Sequence, residues 1–508
     1  MNREPSSSGW RRLGVVLPAC LTWGALIGLA VLSIARPTVA ALCLVTFEFY
    51  WMLRIFYDVT LLMLAYARLR RARTLDWWAL CHTLPHWQDL WHVILFPIVA
   101  EGREILIASL DALLKTAYDH ERFVVVLAVE ERAGPSVIAM THELQRRYAS
   151  RVGAFLVITH PDGLPGEAQV KGANATYAAK QVRAWLDERQ IPYERVILSC
   201  FDADTCAGPE YFACLSYTYL TTPNPTQASY QPIPVYNNNF WEAPAFARVM
   251  EVGASFWELI DGMRPHRFVT FSSHSLSFAA LVAINYWPVD MVSDDSAVYW
   301  RAFLHYHGAY QVIPLMATVS MDIAVGQTLW QTLLVQYRQK RRWAWGVENF
   351  PMVLEGFAAH PEIAWWTKCR RAFWLLEGHW TWATWSIILT VIAQLPVIFG
   401  GYVFQGTVMG FQFPQLSGVL FAMTAVSLLL CVAISHGLLP KPPAGLPWWM
   451  RLSVWAQWLL VPLISAAVGS APAVDAQTRL LFGHNLAFDV TMKHRKSSAQ
   501  PSLAASTG

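Results

Sequence analysis

The sequence predicts an α/β domain with a mostly parallel sheet, placed between apolar helices that cross a membrane. Of its 508 residues, 55% are hydrophobic and only 14% are charged, so it is more apolar and less charged than an ordinary soluble protein. Long uncharged stretches lie near both ends, whereas charged residues concentrate between 68 and 377. In that middle part strand and helix patterns alternate, which is typical of a parallel sheet covered by helices.

Two apolar stretches precede the charged middle. Residues 13–35 carry no charged side chain and can span a hydrocarbon core of about 30 Å as one helix. A cleavable signal peptide is the alternative, although no clear small-residue cleavage site precedes the next apolar stretch. That stretch, residues 38–66, contains Glu48, Arg54 and Asp58. These charges either face a polar path inside the protein or lie near one interface of a long tilted helix.

Further apolar segments follow the charged middle. No Asp, Glu, Lys or Arg occurs between Gly378 and Pro440. Two glycines and a proline break this run into two predicted helices, near residues 380–400 and 415–437. A fifth apolar segment covers about 452–470 and contains Pro462.

The basic residues predict how the chain is oriented. They precede the first apolar stretch and follow the second, at Arg11, Arg12, Arg68, Arg70, Arg71 and Arg73, while the turn between the stretches holds only Arg36. The positive-inside rule then places the N-terminus and the middle domain in the cytosol, at a bacterial inner membrane. The basic run from Lys493 to Lys496 also suits the cytosol, but five full spans would put it outside. Either the segment near 452–470 is re-entrant or a further span exists.

Composition excludes several classes of protein. The net charge of +3 is too small to indicate a nucleic-acid partner. The eight cysteines are scattered without a Cys-x-x-Cys pair, which argues against a zinc site or a disulfide framework and suits a reducing compartment. No pattern indicates an oligomeric state. The predicted parts are an N-terminal transmembrane helix pair at 1–67, a cytosolic domain at 68–350, interfacial helices at 351–377, C-terminal transmembrane helices at 378–470 and a cytosolic tail at 471–508.

The strand ends of the middle domain carry the chemistry. Strands are predicted at 92–99, 123–129, 154–159 and 195–201, with helices at 103–117, 135–150 and 173–187. Ligands of such sheets bind beyond the carboxyl ends of the strands. The fourth strand runs into Asp202-Ala203-Asp204, and two carboxylates at this spacing can hold Mg²⁺ or Mn²⁺, which prefer oxygen ligands. A solvated turn is the alternative.

Two more polar motifs lie downstream. Asp294-Asp295 precedes a helical stretch, and a carboxylate there can take a proton from an acceptor hydroxyl; the alternative is a helix N-cap. The run from Gln339 to Trp343 includes Lys340, Arg341 and Arg342. Arginines can stabilise a departing diphosphate, whereas the alternative is a basic interfacial helix that faces lipid headgroups.

Taken in order, these residues resemble glycosyltransferase family 2 in its membrane-embedded branch, which includes cellulose, hyaluronan and chitin synthases. The motifs that carry the resemblance span roughly residues 90–350. They are Pro97-x-x-x-Glu101, Lys171-x-x-Asn174, Asp202-x-Asp204, Ser293-Asp294-Asp295 and Gln339-x-x-Arg342-Trp343.

The resemblance implies a GT-A fold and inverting transfer from a nucleotide sugar, usually a UDP-sugar. The acceptor is implied to be a growing polysaccharide, possibly moved across the membrane, or a lipid. It implies that Glu101, Lys171 and Asn174 bind the donor, that Asp202 lies near the ribose and diphosphate, and that Asp204, together with Asp202, binds the metal. Asp295 is the implied general base, with Asp294 as its competitor. Gln339, Arg342 and Trp343 are the implied acceptor and diphosphate site.

Two departures from the family pattern leave alternatives open. Glu130-Glu131 replaces an Asp-Asp pair, so Glu130 can reach the base or ribose but the donor can differ. The acceptor-side loop reads Ser272-Ser273-His274-Ser275, in which His274 is either a substrate contact or a buried structural histidine. A transporter with a cytosolic domain and a catalytically inactive scaffold are the other hypotheses. The ordered acidic motifs count against the transporter.

Overall fold

The computed structural model describes residues 9–443, 445–484 and 486. Within these residues one mixed sheet forms from the strands β1 Trp91–Ile98, β2 Phe123–Glu130, β3 Ala154–His160, β4 Val196–Cys200, β5 Cys206–Ala207, β6 Ala228–Tyr236, β7 Ser275–Ser277 and β8 Gln311–Met321. Their order is β3–β2–β1–β4–β7–β6–β8–β5. The strands β3, β2, β1 and β4 are parallel, as predicted, whereas β7 is antiparallel to both of its neighbours.

The sequence of the parallel strands explains their position. Every residue of β2 is buried, and its continuous apolar run is typical of a strand covered on both faces by helices. In register, His92 lies beside Phe123 and Ile197. The carboxyl ends of β1, β2 and β4 therefore meet at one edge of the sheet, where the acidic motifs follow.

The helices are, in chain order, α1 Gly9–Ala35, α2 Pro37–Ala72, α3 Trp77–His82, α4 Arg103–Leu113, α5 Pro135–Tyr148, α6 Lys171–Glu188, α7 Tyr211–Thr221, α8 Ala245–Gly262, α9 Phe278–Ala283, α10 Asp294–His305, α11 Leu329–Ala344, α12 Asn349–Ala359, α13 Trp365–Thr390, α14 Leu395–Phe399, α15 Gly401–Gln405, α16 Val408–Leu438, α17 Trp448–Ala456, α18 Val461–Ile464 and α19 Ala471–Leu481. A π-helical turn at Ser465–Ser470 joins α18 to α19. The predicted helices of the middle domain are present as α4, α5 and α6. Helix α6 begins at Lys171, two residues before the predicted 173, and this brings Lys171 to the strand ends.

Among the described residues, five helical segments are long and apolar enough to cross a membrane: Gly9–Ala35, Pro37–Ala72, Trp365–Phe399, Val408–Leu438 and Trp448–Leu481. The prediction of five apolar segments is confirmed. Helix α13 starts at Trp365, so part of the predicted interfacial stretch and the third apolar segment form one helix.

The charges in the second apolar helix all face other parts of the protein. Glu48 accepts a hydrogen bond from Ser417 on α16, at 2.7 Å. Arg54 pairs with Glu377 on α13, and Asp58 pairs at 2.6 Å with Arg264, which follows α8. The structure therefore favours the polar interior over a lipid interface for these three side chains.

The fifth apolar segment lies along the sheet domain. Near its start, Ser453 is 3.5 Å from Arg248 on α8. In its middle, the Trp458 ring stacks on Phe256, also on α8, with centroids 6.0 Å apart. Near its end, Asp475 pairs with Arg341 on α11 at 2.9 Å. Both ends of this segment therefore contact the same domain.

Candidate active site

Lys171 is at the centre of the polar cluster beyond the strand ends. Its ammonium nitrogen lies 2.9 Å from Asp202 Oδ1 and 3.1 Å from Asp295 Oδ1. Burial would lower the pKa of this ammonium, but the two carboxylates outweigh burial and raise the pKa well above its ordinary value. Lys171 is therefore charged, and it joins the loop after β4 to the start of α10.

Asp202 and Asp204 follow β4 but face different partners. Asp202 Oδ2 accepts a hydrogen bond from Ser272 Oγ at 2.6 Å, so the Ser272 loop touches the acidic motif. Asp204 is 1% exposed, and its Oδ2 accepts a bond from the backbone N–H of Asp322 at 2.8 Å. A buried, oriented carboxylate is not a solvated turn, so that alternative is wrong for Asp204.

The side chains at the end of β4 are suitable ligands for a hard divalent cation. Carboxylate oxygens are the preferred ligands of Mg²⁺ and Mn²⁺, and Asp202 and Asp204 supply them beside the cationic Lys171. Asp322 follows β8 and brings a third carboxyl group to the same strand edge, where its Oδ1 accepts from Asn238 Nδ2 at 2.8 Å. Sequence analysis missed Asp322; its only signal is a charged residue directly after β8, a strand in which buried and partly exposed residues alternate.

The two carboxylates at the start of α10 have different surroundings. Asp294 is 2% exposed, and burial together with the nearby Asp295 raises its pKa well above the usual carboxyl range. The Asp295 side chain is 22% exposed and faces Lys171. Asp295 is the more exposed of the two and contacts Lys171, so it is the carboxylate better placed to serve as a base. Its contact with Lys171 is not that of a helix cap.

His274 lies behind this cluster instead of on an open surface. It is fully buried, with Nδ1 2.8 Å from the Phe271 carbonyl oxygen and 3.6 Å from Asp295 Oδ1. Burial lowers the pKa of the imidazole. Asn174 is similarly enclosed, since its Nδ2 donates to the Ala128 carbonyl oxygen at 2.8 Å and so ties α6 to β2. These contacts suit positioning roles better than substrate contacts.

A cavity of about 820 Å³ opens in front of the cluster. Its lining includes most of the residues singled out from sequence: Glu101, Glu130, Lys171, Asp202, Asp204, Asp294, Asp295, Gln339, Arg342 and Trp343. Asn174 and His274 are not part of the lining. The cavity extends to Trp51 and Arg54 of α2 and to Trp385 of α13, so it connects the strand ends with the apolar helices.

The helix α11 presents only part of its basic run to this cavity. Lys340 pairs at 2.9 Å with Glu251 on α8, and both side chains are almost fully buried. Arg341 binds Asp475 of α19. The alternative in which these two residues face lipid headgroups is therefore wrong. Trp343 faces the cavity and lies beside Tyr236, with ring centroids 6.2 Å apart.

The acidic residues after β1 and β2 reach the other side of the cavity. Glu101 Oε2 accepts from the backbone N–H groups of Val99 and Ala100, at 2.7 and 3.0 Å. Glu130 forms an ion pair with Arg132. A smaller cavity of about 180 Å³ adjoins Glu130 and is lined also by His160.

Many tryptophan rings line the large cavity. Among the described residues, the tryptophans that line it are Trp51, Trp257, Trp300, Trp343, Trp374, Trp382, Trp385 and Trp458. Flat aromatic faces with one polar edge suit ligands that have both apolar and hydroxyl faces, as sugar rings do. Glu258 also lines this wall, and burial raises its pKa well above the usual carboxyl range.

The mixed sheet with carboxylates at its strand ends has a GT-A-type fold, and the adjoining apolar helices are long enough to cross a membrane. Residues 197–436 match the model of the family described as Glycosyl transferase family group 2. This part of the chain is therefore similar to that family, and the chain is a glycosyltransferase. The match does not distinguish the cellulose and chitin synthase branch from others.

Solved structures give weaker likenesses. The mannosyltransferase PcManGT from Pyrobaculum calidifontis, in complex with GDP-Man and Mn²⁺, is 12% identical with a TM-score of 0.43, covering 87% of this chain and 100% of its own. S. aureus TarS 1–349 in complex with UDP-GlcNAc is 10% identical with a TM-score of 0.31, covering 78% and 91%. GalNAc-T7 with UDP, GalNAc and Mn²⁺ is 9% identical with a TM-score of 0.30, covering 62% and 58%. No curated protein matches the chain in sequence.

Proposed function

We propose that this glycosyltransferase moves a sugar from a nucleotide sugar, with inversion, to a growing polysaccharide held in the large cavity. One observation carries the proposal. The Lys171–Asp202–Asp295 cluster lies at the wall of a cavity that runs from the strand ends to α2 and α13. A bound sugar donor and an elongated acceptor can therefore meet at Asp295.

The donor side of the site suits a sugar bound to a nucleoside diphosphate, with a UDP-sugar as the expected donor. Asp202 and Asp204 would hold Mg²⁺ or Mn²⁺, which neutralises diphosphate charge when it is bound. Lys171 and Arg342 supply fixed positive charge for the leaving diphosphate. Glu130 and Arg132 offer an acceptor and donors that can bind the edge of a base or the ribose hydroxyls.

Asp295 is the proposed general base. Its carboxylate takes the proton of an acceptor hydroxyl while that oxygen forms a bond to the anomeric carbon. The bond from the anomeric carbon to the diphosphate oxygen breaks on the opposite face, so the configuration inverts. Burial raises the pKa of Asp294 well above the usual carboxyl range, whereas Asp295 contacts Lys171 and is the more exposed of the two.

The acceptor is proposed to be a saccharide chain because tryptophans line the path and hydrogen-bonding side chains interrupt them. The same path lies between helices apolar enough for a membrane, so an elongating product could pass along it. A lipid-linked acceptor with a single transfer is the alternative, and the apolar wall near Trp385 favours it. The intact arrangement of Lys171, Asp204 and Asp295 argues against an inactive scaffold.

We further propose four full crossings of a bacterial inner membrane, with the sheet domain in the cytosol. The contacts of Ser453, Trp458 and Asp475 with α8 and α11 support a re-entrant fifth segment. The chain end would then lie on the cytosolic side, in agreement with the basic run near Lys493, which falls outside the described residues.

The test is a donor panel. Purified protein in detergent is incubated with UDP- and GDP-sugars and Mn²⁺ or Mg²⁺, and release of nucleoside diphosphate is measured with oligosaccharide or lipid acceptors. We expect one donor to give release that excess chelator and Asp204→Ala both abolish. Release only with lipid acceptors would replace the polysaccharide proposal with the lipid one. No release with any donor would favour the inactive scaffold.

A further inference from the structure

We propose that His307, His360 and Glu362 form a second metal site, for a Zn²⁺-like transition-metal ion, outside the catalytic cavity. The three side chains come from two separate loops and do not line the large cavity. The proposal is independent of the donor and acceptor assigned above, because it depends only on the ligands of this cluster.

The three side chains converge on one point. His307 Nδ1 lies 2.7 Å and His360 Nδ1 2.6 Å from the same oxygen, Glu362 Oε1. The three ligand atoms lie within 4.8 Å of one another. The side chains are 61%, 33% and 39% exposed, in the order His307, His360 and Glu362, so an ion can reach them from solvent.

The two loops are held together before any ion binds. His307 lies in the turn between α10 and β8 with a φ of +52°, and Gly308 follows with a φ of +88°. Ile363 is 2% exposed, and its Cγ2 would lie only 3.5 Å from a Cβ added at Gly308. This packing fixes the loop of His360 and Glu362 against the turn of His307. The fold therefore already holds the three ligands near one another, and less conformational entropy is lost when an ion binds.

The ligand chemistry selects a different ion from that of the catalytic site. Two imidazoles and one carboxylate are the three protein ligands of many zinc sites that keep one position open to water. Imidazole suits Zn²⁺, Ni²⁺ and Co²⁺, whereas Mg²⁺ and Mn²⁺ favour oxygen ligands such as Asp202 and Asp204. The absence of a Cys-x-x-Cys pair in the sequence argued against a zinc site. Histidines from distant parts of the sequence can nevertheless form a zinc site without cysteine.

The competing explanation is a purely hydrogen-bonded cluster. Both imidazoles can donate Nδ1–H to Glu362 Oε1, and this arrangement satisfies all three groups. Zinc–ligand bonds of about 2.0–2.1 Å in a tetrahedron require ligand atoms about 3.3 Å apart. Each histidine must therefore move by roughly half an ångström, which small rotations of exposed side chains permit. The two explanations differ in one respect: only the metal site binds an ion that Mg²⁺ does not displace.

Such an ion would link two helices that matter for the catalytic site. His307 follows the C-terminal end of α10, whose first residues are Asp294 and Asp295. His360 and Glu362 lie just before α13, which lines the cavity. Metal binding is therefore expected to stabilise the junction of these helices, since an ion that binds only the folded state shifts unfolding by mass action.

The experiment uses the full chain in detergent, purified with a tag that contains no histidine and stripped with EDTA. Zn²⁺ is added in the presence of excess Mg²⁺, which occupies the carboxylate site, and bound zinc is counted after gel filtration. Co²⁺ absorption in the visible region reports nitrogen ligands independently. The variants are H307A/H360A, E362Q and the control H142A, which removes an exposed histidine on α5.

We expect one more Zn²⁺ per chain in the wild type and H142A than in H307A/H360A, and a Co²⁺ band that this double variant lacks. E362Q keeps the side-chain shape, so it guards against misfolding, and we expect it to weaken zinc binding at least 10-fold. Equal zinc content and equal Co²⁺ spectra in wild type, E362Q and H307A/H360A would overturn the proposal and leave the hydrogen-bonded cluster. Because no sugar transfer is measured, this outcome is separate from failure of the proposed function.

Discussion

Asp295→Asn separates the chemical step from donor binding. The substitution removes the carboxylate that faces Lys171 at 3.1 Å while keeping the size of the side chain. Lys171 still has Asp202 at 2.9 Å, so its charge remains compensated and its position is retained. Donor affinity is therefore expected to stay near that of the wild type.

The size of the rate loss follows from the role of a base. A positioned general base contributes about 10²–10⁴-fold, and a 100-fold loss corresponds to about 2.7 kcal/mol in the activation barrier. We expect at least this loss in Asp295→Asn. Asp294→Asn is the matched control, and its effect should be smaller because Asp294 is buried with a raised pKa, whereas Asp295 is the carboxylate in contact with Lys171. A pure helix-cap role would instead cost only about 0.5–2 kcal/mol of stability.

The assay measures nucleotide binding and sugar transfer for both variants, with thermal unfolding as a folding check. Comparable transfer rates in Asp295→Asn and the wild type would refute the base assignment. A larger loss in Asp294→Asn than in Asp295→Asn would reverse the two roles. Parallel loss of donor binding and rate would show that the substitution disrupts the site, and the base would then be tested by the pH profile of the wild type.

Three other predictions concern stability and topology. Asp58→Asn removes the carboxylate 2.6 Å from the buried Arg264 and leaves only the more distant Asp261, at 3.8 Å, so it should lower the free energy of unfolding by about 2 kcal/mol, which a fall in the thermal midpoint would show. Burial raises the pKa of Asp294 in the folded protein, so the stability that this group contributes is present at low pH and is lost as the pH rises. The thermal midpoint of Asp294→Asn should therefore rise relative to that of the wild type between pH 5 and pH 9. A difference between the two midpoints that does not change with pH would contradict this. In a background without native cysteines, His142→Cys and Gln500→Cys should both resist a membrane-impermeant thiol reagent in intact cells, and labelling of only one would contradict the re-entrant fifth segment.

The parallel half of the sheet was predictable because its strands are long, apolar and separated by amphipathic helices. The other half, in which β7 and β5 are antiparallel to their neighbours while β6 and β8 are parallel, was not. β5 has two residues and β7 has three, so neither shows a period of two, and each is held by pairing with distant strands. β7 pairs with β4 and β6, and such non-local pairing leaves no local signal in the sequence.

The candidate site was predictable from the order of its motifs, since the ends of parallel strands meet at one edge. What the pattern could not show was the direction of each side chain. Asn174 faces the backbone of β2 although it lies in a motif with Lys171, which faces the cluster. Asp322 reaches Asp204 from a strand far along the chain, and only the fold reveals it.

The basic run of helix α11, residues 339–343, lies between the catalytic cavity and the apolar helices. Successive residues of a helix point in different directions, about 100° apart. Lys340, Arg342 and Trp343 line the cavity. Lys340 also binds Glu251 on α8, whereas Arg341 points away and binds Asp475 on α19. The basic run of α11 therefore contacts the fifth apolar segment through Arg341 and the catalytic cavity through Arg342.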